Sequence, residues 1–257
     1  MTAPPYVKRV CGGPPGATAW EAAGLAWLEQ AEREGGARVV RVLEVTPEAL
    51  TLERLEPAPP TGRDVEELGR ALARTHGAGA PAFGSGPRGW TGAGYLGPAS
   101  ELLPLPLDPS DTWGAFYGES RIRHTLRLGR DRGLWSGTDV FERVADRLAA
   151  GDFDDDDPPA RLHGDLWTGN VVWTRGGGVL IDPAAHGGHR LTDLAMLLLF
   201  GGPREERVTA AYEEVAPLPA DWRDTVGLHR LHPLMMHAVL FGGGYGQQAE
   251  AVARRFA

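Results

Sequence analysis

Residues 56–62, EPAPPTG, divide the chain into two stretches of different periodicity. Proline removes a backbone donor and fixes φ, and glycine frees it, so such a run punctuates secondary structure and connects lobes. Before it, residues 6–10 (YVKRV), 38–45 (RVVRVLEV) and 50–55 (LTLERL) predict short strands, the last two joined by a TPEA turn. Between them, Thr18–Glu34 predicts a helix with Trp20, Leu25, Leu28 and Ala31 on one side, and Thr18 with Glu21 fits a capping box. After the connector the character is helical: 64–76, 111–130, 138–150 and several helices to the C-terminus. Residues 81–110 are Gly- and Pro-rich and read as irregular, and 171–174 with 179–182 read as a hairpin around RGGG. The expected fold class is α+β: a small antiparallel-sheet lobe over 1–57 and a larger, mainly helical lobe over 58–257.

Composition narrows the function classes. With 257 residues and 42% hydrophobic content the chain can bury a sizeable core and is not disordered. A formal charge of −8 disfavours a dedicated nucleic-acid partner. The longest apolar run, 194–200, is too short to span a bilayer, and MTAPPYVKRV lacks the apolar core of a secretory signal. Cys11 stands alone, so no internal disulfide framework is expected, and the expected setting is the cytoplasm, with no membrane partner.

Two residues are singular. Of the 26 Lys and Arg residues only Lys8 is a lysine, and Asn170 is the only asparagine. In a chain that uses Arg everywhere else, a surviving Lys suggests a need for a compact ammonium rather than a planar fork, although one lysine has to fall somewhere.

The densest polar cluster is RLHGDLWTGNVVW (161–173), followed by VLIDPAAHGGHRLTDLAM. Asp165 and Asn170 are five apart, and Asp182 follows twelve later, after the hairpin. An Asp that accepts a hydroxyl proton, with an Asn and a second Asp as oxygen ligands for magnesium, is the equipment of phosphoryl transfer. Turn formation explains any one of these residues but not their spacing.

HGDLWTGN, LIDPA and DLAM resemble the fructosamine kinase (ketosamine-3-kinase) family, which is similar to the aminoglycoside phosphotransferases and, more distantly, to protein kinases. The likeness runs from YVKR through EAAGLAWL, LTLERL and RALARTH to DLAMLLLFGG. It implies a two-lobed protein-kinase-like fold that uses ATP and Mg2+ to phosphorylate a hydroxyl of a small-molecule or protein-bound ketosamine. Asp165 would be the base, Asn170 and Asp182 the magnesium ligands, and Lys8 the phosphate contact, with Glu21 pairing to Lys8. The Glu53 carbonyl and Leu55 N–H would meet adenine, Asp193 with His163 would hold the catalytic loop, and Trp167 would stack on the substrate. From their Gly-rich setting, His186 and His189 are expected to reach the substrate too. A kinase of the same fold for an aminoglycoside or amino alcohol is the alternative. A non-catalytic nucleotide-binding module is disfavoured, because binding alone would not require the base.

The family carries two strands and a glycine-rich turn before the lysine strand, whereas seven residues precede Lys8 here. A start placed too late or a missing phosphate lid would each account for this, and the expectation for this form is an exposed sheet edge with weak ATP binding. The four aspartates 154–157 are read as a solvated turn. His229, His232 and His237 are not read as a zinc site, since Pro233 interrupts them.

Overall fold

The computed structural model describes residues 4–10, 12–135 and 137–257; Cys11 lies outside them. Strands β1 (Tyr6–Arg9), β2 (Val42–Val45) and β3 (Ala49–Leu52) form an antiparallel sheet in the order β1-β3-β2, with Lys8 opposite Leu50. In the central strand Leu50 and Leu52 are buried while their neighbours Ala49 and Thr51 are half-buried, the alternation that one covered face requires. β1 is an outer strand, and its Tyr6 and Val7 are exposed.

Helix α1 (Ala17–Glu32) packs on this sheet, but its start differs from the expected capping box. The N-cap is Gly16, at φ 84°, with no side-chain cap. Thr18 lies inside the helix and its hydroxyl donates to the Thr46 carbonyl at 2.7 Å, while Glu21 turns to Lys8. An ammonium is a stronger partner for a carboxylate than a helix N–H. The expected strand 38–45 is also shorter than its alternation suggested. Val39 and Val40, both buried, leave the sheet to meet the later hairpin: Val40 N–H donates to Leu180 and Leu180 N–H to Arg38. One apolar core therefore runs through both lobes, from Leu28, Val39 and Leu50 to Leu72, Leu166, Leu180 and Leu194.

Helix α2 (Gly62–Gly77) starts from Thr61, which with Asp64 makes the capping box that the sequence displays only as an acidic first turn. The stretch expected to be irregular contains a small antiparallel pair, β4 (Gly94–Leu96) and β5 (Leu103–Leu105). It docks on α1 through Trp20, whose indole N–H donates to the Tyr95 carbonyl at 2.9 Å. Gly94 allows this approach, since a Cβ there would lie 2.5 Å from the Trp20 ring.

The expected helix 111–130 is α3 (Trp113–Phe116), a π-helical segment (Tyr117–Arg123) and α4 (His124–Asp131). Helix α5 (Asp139–Ala149) is followed by β6 (Ala160–Leu162), the hairpin β7 (Val171–Thr174) and β8 (Gly177–Leu180), and β9 (His186–Gly188), which pairs with β6. Helices α6 (Arg190–Leu199), α7 (Pro203–Glu213), α8 (Trp222–Phe241) and α9 (Tyr245–Phe256) complete the larger lobe.

Pro233 does not end its helix. α8 runs through it, and the His229 carbonyl, deprived of its usual donor four residues on, accepts the Tyr117 hydroxyl at 3.0 Å. The His232 N–H in turn donates to that hydroxyl at 3.1 Å. The acidic loop is likewise not a merely solvated turn. Asp154 accepts the Gly114 N–H, Asp155 faces His189, and Asp157 takes two bonds from Arg190. Asp155, Asp157 and His189 come within 4.8 Å of one another, but Arg190 already neutralises Asp157 and His189 Nε2 is hydrogen-bonded to Asp155.

Candidate active site

The segment between β6 and β7 holds the site rigidly because its backbone is bonded from below. The buried Asp193 carboxylate, in the first turn of α6, accepts the backbone N–H groups of His163 (2.7 Å) and Gly164 (2.9 Å) and lies 3.1 Å from His76 Nε2. A carboxylate only accepts, so His76 Nε2 donates to it, and its Nδ1 is hydrogen-bonded to the Tyr212 hydroxyl at 3.0 Å. Burial opposes the charge on Asp193, but the bonds from His76 and His163 outweigh it and its pKa is lowered. Gly164 has φ 81°, and a Cβ there would lie 2.1 Å from the Ala184 carbonyl, so only glycine fits between His163 and Asp165.

His163 ties the two arms of the site together. Its Nε2–H donates to the Ile181 carbonyl at 2.9 Å and its Nδ1 accepts the Asp165 N–H at 3.3 Å. Burial lowers its pKa, so the ring is neutral and can play both parts. Asn170 Nδ2 donates to the Asp165 carboxylate (3.0 Å) and carbonyl (2.8 Å), and the Asn170 carbonyl accepts from Ile181. The side-chain oxygen of Asn170 has no hydrogen-bond partner among the described residues. The hairpin thus sets Asn170 beside Ile181, one residue before Asp182.

Asp182 has φ 54°, the one non-glycine residue with positive φ among those described. Asp tolerates this left-handed turn better than most residues, and the turn brings its carboxylate within 3.1 Å of Lys8 Nζ. Lys8 also meets Glu21 at 2.7 Å. Burial opposes the Lys8 charge, but Glu21 and Asp182 outweigh it and raise its pKa. Glu21, buried with its second oxygen unpartnered, is raised by burial. Burial also pushes the Asp165 carboxyl up to about 7; Asp182 and Asp193 add to this, and the Asn170 bond and Lys8 oppose it.

These residues line a cavity of about 740 Å³. Trp167 stands at its rim, 39% exposed and edge-on to Phe200. His186 and His189 also line it, but not from a loose loop. His186 is in β9 with Nδ1 on the Ala184 carbonyl, and both ring nitrogens of His189 are engaged, by Asp155 and by the Leu191 N–H. His189 therefore has no nitrogen left for a substrate, whereas His186 keeps Nε2. Glu53 and Leu55 are not part of the cavity wall, and the Glu53 carboxylate is taken by Arg38. Sequence reasoning missed His76 and Tyr212 behind Asp193, and Trp113 and Arg121 in the wall; only the ARTH end of α2 offered a signal, and it reads as an ordinary helix terminus.

A hard divalent cation prefers oxygen donors. The free side-chain oxygen of Asn170 and the Asp182 carboxylate supply them beside the ammonium of Lys8, so the residues present fit magnesium.

A lysine–glutamate pair under a small sheet, a rigid Asp–Asn loop and a second Asp after a hairpin define a protein-kinase-like phosphotransferase. The same fold is seen in the choline kinase LicA of Streptococcus pneumoniae, with a TM-score of 0.61 over 97% of this chain and 85% of that one at 15% identity. The model of the family "Fructosamine kinase" matches residues 18–256, and the chain belongs to that family of small-molecule kinases. A Thermus thermophilus protein named "probable ketoamine kinase" is 37% identical over 240 residues, 93% of this chain and 82% of its own. The Escherichia coli K12 protein of the same description is 32% identical over 76% of this chain and 64% of its own length. The crystal structure of a "putative fructosamine-3-kinase" from Thermobifida fusca superposes with a TM-score of 0.86 at 43% identity, covering 98% of this chain and 84% of that one.

Proposed function

We propose that the chain transfers the γ-phosphate of ATP to a hydroxyl of a ketosamine, with Asp165 as the base. The observation that carries this reading is the convergence of Lys8, Glu21, Asp165, Asn170 and Asp182 on one cavity wall. A carboxyl held near pH 7 can take a proton from an attacking hydroxyl and still release it. Lys8 neutralises phosphate oxygens, and Glu21 keeps its ammonium aimed into the cavity. Asn170 and Asp182 would hold magnesium, which neutralises charge on the transferring phosphoryl group. Asp193 and His163 act as positioning residues. Trp167 offers a face to the sugar. The adenine contacts of Glu53 and Leu55 rest on the family likeness alone, a lobe boundary at 57/58 rests on the Pro-rich connector, and a cytoplasmic setting rests on the single cysteine and the need for ATP.

The test is magnesium-dependent ATP turnover against fructosyl-amines, aminoglycosides and amino alcohols, with the phosphorylated product identified by NMR. Fructosyl-amines should give the highest kcat/KM. Turnover of an aminoglycoside with none of any fructosyl-amine would replace the ketosamine reading.

A further inference from the structure

Part of the cavity wall carries a charge that no carboxylate among the described residues pairs with. It belongs to Arg121, in the π-helical segment, which is 1% exposed. Its Nη1 donates to the carbonyls of Pro106 (2.8 Å) and Ser120 (3.1 Å), its guanidinium lies 4.5 Å from the centre of the Phe116 ring, and Nη2 has no partner among the described residues. Asp108, whose charge Arg121 senses, is turned instead to the Ser120 hydroxyl at 2.8 Å. Trp113 lines the same cavity, and its indole N–H is also buried and without a partner among the described residues. His186 adds no positive charge, because burial and Arg121 push its pKa down to about 3.

A buried guanidinium without a counter-charge is strongly unfavourable, and a ligand anion offsets that penalty. π-helical segments recur at functional sites, where they re-aim side chains. One guanidinium balances one negative charge, which suits a carboxylate better than a phosphate dianion, and the two-oxygen geometry matches an N–H edge. The carboxylates of Glu21, Asp165 and Asp182 line another part of the wall, beside Lys8, so the cavity is bipolar.

We propose that Arg121 and Trp113 form a carboxylate subsite, and that the substrate is a ketosamine whose amine part carries a free carboxylate: a glycated free amino acid. This rests on the phosphotransfer reading for the sugar end, where the hydroxyl meets Asp165. The enclosure of both donors disfavours a sugar adduct on the surface of a folded protein, which could not bring a carboxylate so deep.

Calorimetric titration tests this without turnover. The probes are fructosyl-glycine and fructosyl-β-alanine, each against its neutral carboxamide. The acids should bind the native protein roughly tenfold or more tightly than the amides, as expected for a charge-assisted bond. Arg121→Gln should remove that preference, and Trp113→Phe, which keeps an aromatic ring but loses the N–H together with part of the indole, should reduce it several-fold. Should Arg121→Gln fail to fold, Arg121→Lys and Trp113→Phe decide the matter. Equal affinity of acids and amides for the native protein would overturn the subsite, as would an acid preference unchanged in the folded variants. Acid selectivity in a protein that turns over no ketosamine would uphold the subsite and sink the phosphotransfer reading instead.

Discussion

Lys8 and Asp182 meet across the cleft between the lobes at 3.1 Å, although 174 positions separate them in the chain. The contact needs the left-handed turn at Asp182 and the half-buried ammonium of Lys8, which Glu21 holds from the other side at 2.7 Å. Three charges therefore sit in one cluster, two acidic and one basic. A planar guanidinium in place of the ammonium cannot face both carboxylates with the same short reach. Lys8→Arg should lower kcat/KM for ATP roughly 10–100-fold, the worth of one charge-assisted bond, with the thermal midpoint little changed. Arg33→Lys, at the exposed C-terminal end of α1, is the control for the exchange itself. Equal, near-native kinetics for both variants would remove Lys8 from the site.

Asp165 links activity to pH. Its carboxyl must be ionised to accept a proton, and burial has raised its pKa to about 7. The acid limb of kcat/KM should therefore have its midpoint near pH 7 rather than near 4. Asp165→Ala should cut turnover by roughly 10²–10⁴-fold. Stability should move in the opposite sense. The unfolded chain ionises this residue near pH 4 and the folded one only near 7, so ionisation works against the fold increasingly from pH 4 to 7 and fully above it. Asp165→Asn should match the native protein in thermal midpoint near pH 4 and exceed it, by on the order of a few degrees, above pH 7. An acid limb centred near pH 4, or a variant no more stable at pH 8, would contradict the raised pKa.

Much of this site is local in the chain, which is why it is legible. Asp165, Asn170 and Asp182 lie on one loop and one hairpin, so their spacing survives any arrangement of the rest, and Lys8 stands out because no other lysine competes for attention. The supports are not local. His76 meets Asp193 across 117 positions and Tyr212 across 136, and neither pairing leaves a periodicity. The strands β6 and β9 are three residues each, too short for alternation to register, so His186 looks like a loop residue. Glu53 looks like a free strand end until Arg38 and Arg41 are placed beside it. The capping box at Thr18 failed for a related reason: Glu21 had a tertiary partner that outcompetes the helix end.

The Asp193 network yields a prediction that separates positioning from mere support. Asp193→Ala leaves two buried backbone N–H groups and the His76 ring unanswered, a loss of about 3–5 kcal/mol by analogy with breaking a buried pair. His76→Phe removes only the back of the network and keeps the ring volume against Tyr212, 5.5 Å away. It should leave the KM for ATP near native and lower kcat, because Asp165 loses its rigid backbone while the phosphate contacts of Lys8 are untouched. A rise in KM with unchanged kcat would show that His76 serves the nucleotide side instead.

The proline within α8 gives a test of how the larger lobe is held together. Tyr117 supplies the donor that Pro233 cannot: its hydroxyl lies 3.0 Å from the His229 carbonyl and 3.1 Å from that of Leu228, and accepts the His232 N–H at 3.1 Å. Tyr117→Phe leaves a buried carbonyl and a buried N–H short of partners, which should cost about 1–3 kcal/mol in urea unfolding. Pro233→Ala restores an N–H four residues after His229, so the helix can satisfy that carbonyl itself. In the Pro233→Ala background the Tyr117→Phe penalty should therefore shrink by roughly 1 kcal/mol, a coupling that a double-mutant cycle resolves. Strictly additive losses would show that the hydroxyl stabilises the lobe by some route other than completing the helix.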